Sequence, residues 1–284
     1  VEQIGIIREI WRYPVKGMAG EALNEGRLIA GGGVEGDRLW ALRDTARGEI
    51  QSCKFRPELL RCDARLRADG SGHVDVTFPE GDVVGSDDGD IHACLSALTG
   101  RSSTLEALRP LGDGSFYRRH KADDHTWFEE LKATFARLPG EPLPDFSGAP
   151  PEFSEYVCQP GTFFLVTPFH LVTTATLARL RASNPAADWN VRRFRPNVVI
   201  ETTAEAEGYV EQDWIGRKLH LGSARVDCTE TTPRCGAVAR KQRGLSEDAS
   251  ILRSIVREAE QNLGIYGTGL ETGCLRVGDP VYLV

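Results

Sequence analysis

At 284 residues, with 40% hydrophobic and 26% charged residues, the chain has an ordinary globular make-up and enough material for two domains. A formal net charge of −7 argues against a general nucleic-acid binder, which needs clustered Lys and Arg to neutralise phosphates. No run approaches the ~18 apolar residues of a membrane span, and Val1-Glu2-Gln3-Ile4-Gly5 lacks the regions of a secretory signal.

Seven cysteines, an odd number without a Cys-x-x-Cys pair, point to a reducing, cytoplasmic setting rather than a disulfide framework. Gly and Pro are spread along the chain, which favours many short elements and a β-rich fold. In chain order, strands are predicted over 6–11, 27–30, 38–43, 62–67 and 73–78, the last two separated by the turn Asp69-Gly70-Ser71-Gly72. A short helix over 91–98 ends at Gly100, a suitable C-cap. The basic run Arg118-Arg119-His120-Lys121 is followed by Asp123 and Asp124, so a solvated loop is the plainer reading and contact with an anion the sharper one. The Pro- and Gly-dense stretch 139–151 marks a domain boundary.

Beyond it, an apolar run over 162–166 leads to Thr167-Pro168, an N-cap oxygen followed by a residue with preset φ, so a helix is predicted over 169–181. Strands are expected over 197–202 and 218–229. An amphipathic helix over 248–261 places Ile251, Leu252, Ile255, Val256 and Ala259 on one face, and a last strand spans 281–284. Gly31-Gly32-Gly33-Val34-Glu35-Gly36 fits a dinucleotide-binding pattern. It is followed by strand-like Asp37-Arg38-Leu39-Trp40-Ala41-Leu42 rather than a helix, so it reads as a glycine-rich connection.

Three segments could carry chemistry. Cys235 follows a strand in a turn favoured by Pro233 and stands beside Arg234, whose charge eases ionisation of a thiol that serves as nucleophile or soft metal ligand. The bland alternative is an inert half-buried thiol; Cys228 and Cys274 read as core. Phe194-Arg195-Pro196-Asn197 joins a planar cation to an amide ahead of an apolar strand, suited to phosphate or a polar heterocycle, though also to turn and capping roles. Tyr13-Pro14-Val15-Lys16-Gly17 puts a lysine on a loop, and Asp37-Arg38 reads equally well as a structural ion pair. His120 and His125 lie five apart in a loop, thin support for a zinc site.

Taken in order, Tyr13-Pro14-Val15-Lys16, Gly36-Asp37-Arg38-Leu39-Trp40, Phe194-Arg195-Pro196-Asn197-Val198-Val199-Ile200, Thr232-Pro233-Arg234-Cys235 and Val277-Gly278-Asp279-Pro280-Val281 resemble the MOSC family, named for the C-terminal domain of molybdenum cofactor sulfurase. The resemblance covers essentially the whole chain and looks closest to the branch containing the mitochondrial amidoxime-reducing component and its bacterial relatives. It implies an α+β, β-rich fold: an N-terminal β-barrel-like domain over 1–130, then a MOSC β-barrel over 145–284 with a few flanking helices. It further implies a molybdenum cofactor (Mo-molybdopterin) with Cys235 as catalytic residue and metal ligand. Lys16 and Arg38 would hold the pterin and its phosphate, Arg195, Asn197 and Arg234 would lie near the cofactor, and Tyr266 would come from the last long loop. Thr167 would act beside the cofactor as helix N-cap.

The implied function is an oxidoreductase that reduces N-hydroxylated or N-oxygenated small molecules, fed by a separate electron-donor protein of ferredoxin or flavin reductase type. No C-x₄-C-x₂-C pattern exists, so no iron–sulfur cluster is expected in this chain, nor a nucleic-acid or membrane partner. A sulfur transferase carrying a persulfide on Cys235, or a non-catalytic carrier of the cofactor, are the alternatives. The chain departs from the branch at Gly17 and Pro233, each standing where the family pattern has serine.

Overall fold

A computed structural model describes residues 1–120, 127–148 and 150–284. Seven strands close a barrel: Glu2–Arg12, Phe169–Thr173, Val198–Thr202, Lys218–Leu221, Ala224–Pro233, Asn262–Glu271 and Pro280–Leu283. Around the barrel, Val198–Thr202 neighbours Phe169–Thr173, followed by Asn262–Glu271, Ala224–Pro233, Lys218–Leu221, Pro280–Leu283 and Glu2–Arg12. The opening strand then pairs back on Val198–Thr202, with Ile6 opposite Glu201 and Ile10 opposite Val198. Closure leaves these strands no free hydrogen-bonding edge. All pairings are antiparallel except that of Phe169–Thr173 with Val198–Thr202. Alternate residues point inward, so Ile7, Ile10, Leu171, Val198, Ile200, Val226, Ile265 and Val281 fill the interior.

Outside the barrel, the helices Thr174–Ser183 and Ala249–Glu258 pack on Val172, Trp189, Phe194, Val238 and Leu263. The predicted amphipathic helix is present: Ile251, Leu252, Ile255 and Val256 are buried and Asp248 caps it, its side chain accepting from Ser250 N. The residues between the barrel strands Glu2–Arg12 and Phe169–Thr173 include two three-stranded antiparallel sheets. One contains Trp40–Asp44, Glu49–Ile50 and Ser103–Ala107; the other contains Asp63–Leu66, Val74–Thr77 and Val83–Gly85. They share a core of Val15, Met18, Leu42, Leu59, Val74, Val76, Ile91 and Leu105. The helix Ile91–Thr99 ends at Gly100 in the left-handed conformation, as its sequence predicts. No helix among the described residues is long and apolar enough to cross a membrane.

Three expectations need correction. Residues 169–173 are a strand, not the start of a helix; the helix begins at Thr174, and its cap is Thr173, whose hydroxyl accepts from Thr176 N at 3.2 Å. All five residues of that strand are buried between two neighbouring strands, and a fully apolar run of this length carries no period to separate strand from helix. Thr167 is therefore not a helix cap. The single strand expected over 218–229 is a hairpin, Lys218–Leu221 and Ala224–Pro233, turned at Gly222-Ser223. Cys274 is exposed rather than core. The glycine run 31–33 is a loop connection, as read from the sequence: a Cβ on Gly33 would stand 2.2 Å from Pro168 O, so glycine lets this loop press on the segment entering the barrel. Lys121, Asp123, Asp124 and His125 lie outside the described residues, and among those described no three His, Cys, Asp or Glu side chains form a metal cluster.

Glu211 is fully buried and ties the barrel to its outer helix. Thr173 Oγ1 donates to it at 2.7 Å and Thr176 Oγ1 at 2.6 Å. Burial raises its pKa, against the lowering by these hydroxyls. A carboxyl with a raised folded-state pKa contributes stability that is complete below the unfolded value, about 4.3, and is lost as pH rises through the folded value. Wild type is thus expected to lose stability relative to Glu211→Gln as pH rises above the unfolded value of about 4.3. Urea unfolding of both proteins at several pH values reads this difference, and parallel curves would count against it.

Candidate functional site

A cavity of about 190 Å³ lies where the loops of the N-terminal sheets meet the open end of the barrel. Lys16, Arg38, Thr167, Arg195, Asn197, Arg234, Cys235 and Tyr266 all line it, although they come from six separate stretches of chain. Among the described residues the lining includes the cations Lys16, Arg38, Lys54, Arg193, Arg195 and Arg234 and no carboxylate. In a protein of net charge −7, that separation suits the cavity to an anion.

Tyr13 organises the basic wall. It is 1% exposed, and its hydroxyl donates to Pro196 O at 3.0 Å. The Arg195 guanidinium lies 4.3 Å from its ring centroid and that of Arg38 lies 5.4 Å away. Arg38 also sits 4.8 Å from the Phe164 ring. Arg38 and Arg195 both have left-handed backbones, with φ of 54° and 56°, an uncommon state for a side-chain-bearing residue and one concentrated at functional sites. Arg38 N donates to Tyr13 O at 2.8 Å, and its side chain pairs with Asp37, while Arg195 Nη1 donates to Met18 O. Asp37–Arg38 is thus a structural ion pair whose arginine also faces the cavity.

Asp37 and Asn197 knit the wall from behind. Asp37 is 6% exposed; its Oδ1 accepts from Tyr13 N at 2.6 Å and its Oδ2 from Asn197 Nδ2 at 2.9 Å. Asn197 Oδ1 accepts from His170 N at 3.1 Å, and Nδ2 reaches Trp11 O at 3.3 Å. The amide of Asn197 is therefore engaged within the protein, and the residue positions its neighbours.

Lys16 donates to Phe163 O at 2.7 Å, and burial pushes its pKa down. Arg234 Nη2 donates to Phe194 O at 2.8 Å, while its buried Nε has no protein partner. Thr167 Oγ1 is likewise buried and unpartnered. Two orphaned polar atoms in one cation-rich lining are what a polar, anionic occupant would satisfy. Cys235 is half-buried at the end of the strand Ala224–Pro233 and the start of the short turn Gly236–Ala239. Tyr266 stands in the strand Asn262–Glu271 rather than in the long loop expected from the sequence, because its backbone pairs with His170 in the barrel; the two rings face each other with centroids 5.6 Å apart, and burial raises its pKa.

Sequence reasoning did not single out His170, Lys54 or Cys53. Burial and the neighbouring Arg234 push His170 down to about 3, so its ring is neutral. A neutral ring donates once, and Leu263 O at 3.2 Å is nearer than Arg195 O at 3.4 Å. His170 stands in the stretch read as helix, which hid its direction toward the cavity. Lys54 and Cys53 belong to no quoted motif and carried no local signal.

Gly17 has a structural reason to be glycine. Its φ is +88°, and a Cβ there would stand 2.7 Å from Cys53 N and 3.3 Å from Leu59 Cδ1. Gly17→Ser is expected to destabilise the protein by about 2 kcal/mol through backbone strain and overpacking. Thermal or urea unfolding checks this; a neutral result would show that the 52–56 loop shifts freely.

Residues 4–93 match the MOSC N-terminal beta barrel domain and residues 159–282 match the MOSC domain. Mitochondrial amidoxime-reducing component 1 of the zebrafish Danio rerio is 30% identical over 124 residues, which is 41% of this chain and 37% of that protein. Among solved structures, the YuaD protein of Bacillus subtilis aligns over 98% of this chain and 94% of its own, at 9% identity and a TM-score of 0.43. YiiM of Geobacillus stearothermophilus aligns over 41% of this chain and 54% of its own, at 16% identity and a TM-score of 0.32.

Proposed function

From a chain that carries a MOSC N-terminal β-barrel domain followed by a MOSC domain, we propose a molybdenum-cofactor oxidoreductase that reduces N-hydroxylated or N-oxygenated small molecules. The observation that carries the reading is a thiol on the wall of a cavity rich in cations and, among the described residues, free of carboxylates. Arg38, Arg195 and Lys16 would hold the phosphate and polar edges of the pterin. Thr167 Oγ1 and Arg234 Nε have hydrogen-bonding capacity to spare, and Cys235 would supply the soft protein ligand to the metal.

When bound, the cofactor supplies a two-electron centre that accepts an oxygen atom from the substrate. The chain's own residues bind, orient and exclude water. Tyr13 and Asp37 fix the two arginines from behind, so little reorganisation is needed when the anion arrives. His170 is neutral, so the positive charge of the lining comes from lysine and arginine. Phe135, Phe163 and Phe164 line the cavity and give a flat apolar substrate a surface to lie on. Reduction draws on electrons from a separate donor protein.

Metal and pterin content of protein purified from cells that make the cofactor tests the proposal. Near-stoichiometric molybdenum with pterin, the metal lost or loosened in Cys235→Ala, is the expected result. Absence of both would overturn it, and a mass gain of about 32 Da on Cys235, one added sulfur, would point instead to sulfur transfer.

A further inference from the structure

Cavity and loop geometry put a second thiol, that of Cys53, on the lining of the cavity that holds Cys235. Cys53 lies on the loop that follows the strand Glu49–Ile50. The loop is pinned: Phe55 N and Arg56 N donate to Ser52 O at 3.0 and 2.8 Å, and the Arg56 guanidinium pairs with Asp44 at 2.9 Å. The missing side chain at Gly17 lets the backbone of Cys53 press inward. From there Cys53 lines the main cavity together with Cys235. It also lines a neighbouring cavity of about 260 Å³ together with Gly236 and Ala237, the two residues after Cys235. The Cys53 loop and the Cys235 turn therefore flank the same two cavities, and none of the other five cysteines lines either one.

We propose that Cys53 and Cys235 are a redox pair that closes to a disulfide under peroxide. Peroxide oxidises the Cys235 thiol to a sulfenic acid and leaves as one water. The Cys53 sulfur then attacks the sulfenic sulfur, the S–S bond forms, and the hydroxyl departs as a second water. Two thiols lose two electrons and two protons, and the peroxide takes up both. A dithiol reductant restores the pair. The pairing rests on the placement of the two thiols; its consequence, that a closed bond withdraws Cys235 from a metal, rests on the proposed function.

The test treats full-length protein with hydrogen peroxide, blocks remaining thiols with iodoacetamide and maps peptides by mass spectrometry with and without dithiothreitol. Expected is one linked peptide pair joining positions 53 and 235, about 2 Da lighter than its reduced parts, reopened by dithiothreitol and absent from Cys53→Ser. In Cys53→Ser, Cys235 is expected to run on irreversibly to the sulfinic acid. Full alkylation of Cys53 after oxidation of Cys235 in the wild type would overturn the proposal, as would linkage of Cys235 to another cysteine. A linked pair in protein that never binds molybdenum would uphold this inference while removing the proposed function; bound molybdenum without a linked pair would do the reverse.

Discussion

Cys235→Ala is expected to reduce N-oxygenated substrates at background rate, a loss of roughly 10³-fold or more, as found when a directly reacting protein group is removed. The same substitution is expected to leave folding nearly unchanged. Cys235 is half-buried, and its side chain makes no cap hydrogen bond to the turn it begins. Neighbouring contacts hold that turn independently, since Gly236 N donates to Thr134 O at 2.9 Å and Arg234 N to Gln261 O at 2.8 Å. A stability change within about 0.5–1 kcal/mol is therefore expected. Lost turnover with unchanged unfolding would locate the defect in chemistry. Cys235→Ser should fall between, because a harder oxygen donor suits the metal less well. Normal turnover in Cys235→Ala would remove the thiolate from the mechanism altogether.

The second large effect is structural. Asn197→Ala is expected to cost about 3 kcal/mol of stability, because it strips partners from several buried groups at once. His170 N–H, one oxygen of Asp37 and Trp11 O all lose the side-chain amide. Asn197→Asp keeps the shape but sets a second carboxylate 2.9 Å from Asp37, judging by the distance of the bond it replaces. At neutral pH it should be worse than alanine, and acidification should relieve it as one carboxyl takes a proton. Urea unfolding of the three proteins at pH 5 and pH 7.5 reads both the rank order and its pH dependence. An alanine variant as stable as wild type would mean that Asn197 does not hold the wall together. Because Asp37 and Tyr13 fix Arg38 and Arg195, the variant should also lose anion affinity.

Much of the site was legible because its residues sit in short segments whose chemistry stands out. Lys16 follows Tyr13-Pro14, Arg195 and Asn197 flank a proline, and Cys235 follows Pro233-Arg234. The structure brings all of them to one cavity. Strand positions also read well where alternation was clean, as at Val74–Thr77. The stretch 169–173 did not, since Thr167-Pro168 gives a strong local helix signal and the buried run behind it fits either structure. The role of Cys53 depends on Gly17 yielding space across 36 positions of sequence, a contact no local pattern encodes. Barrel closure by the opening strand is hidden for the same reason. Nothing in residues 2–12 names residues 198–202 or 280–283 as partners.

That opening strand has a consequence for how the molecule is made. Residues 2–12 are synthesised long before either of the strands that flank them, and the two N-terminal sheets can assemble while this strand still waits. Its two barrel pairings, with residues 198–202 and 280–283, are distant in the chain, so the last wall of the barrel closes late and folding should be slow, as for proteins dominated by distant contacts. Until then, the inward-facing Ile7 and Ile10 stay unshielded, and the span from Trp11 to Tyr13 cannot brace the arginines. A cut between the two domain stretches would not release two foldable halves: it would carry off one stave of the barrel and the lysine-bearing loop that lines the cavity at its mouth.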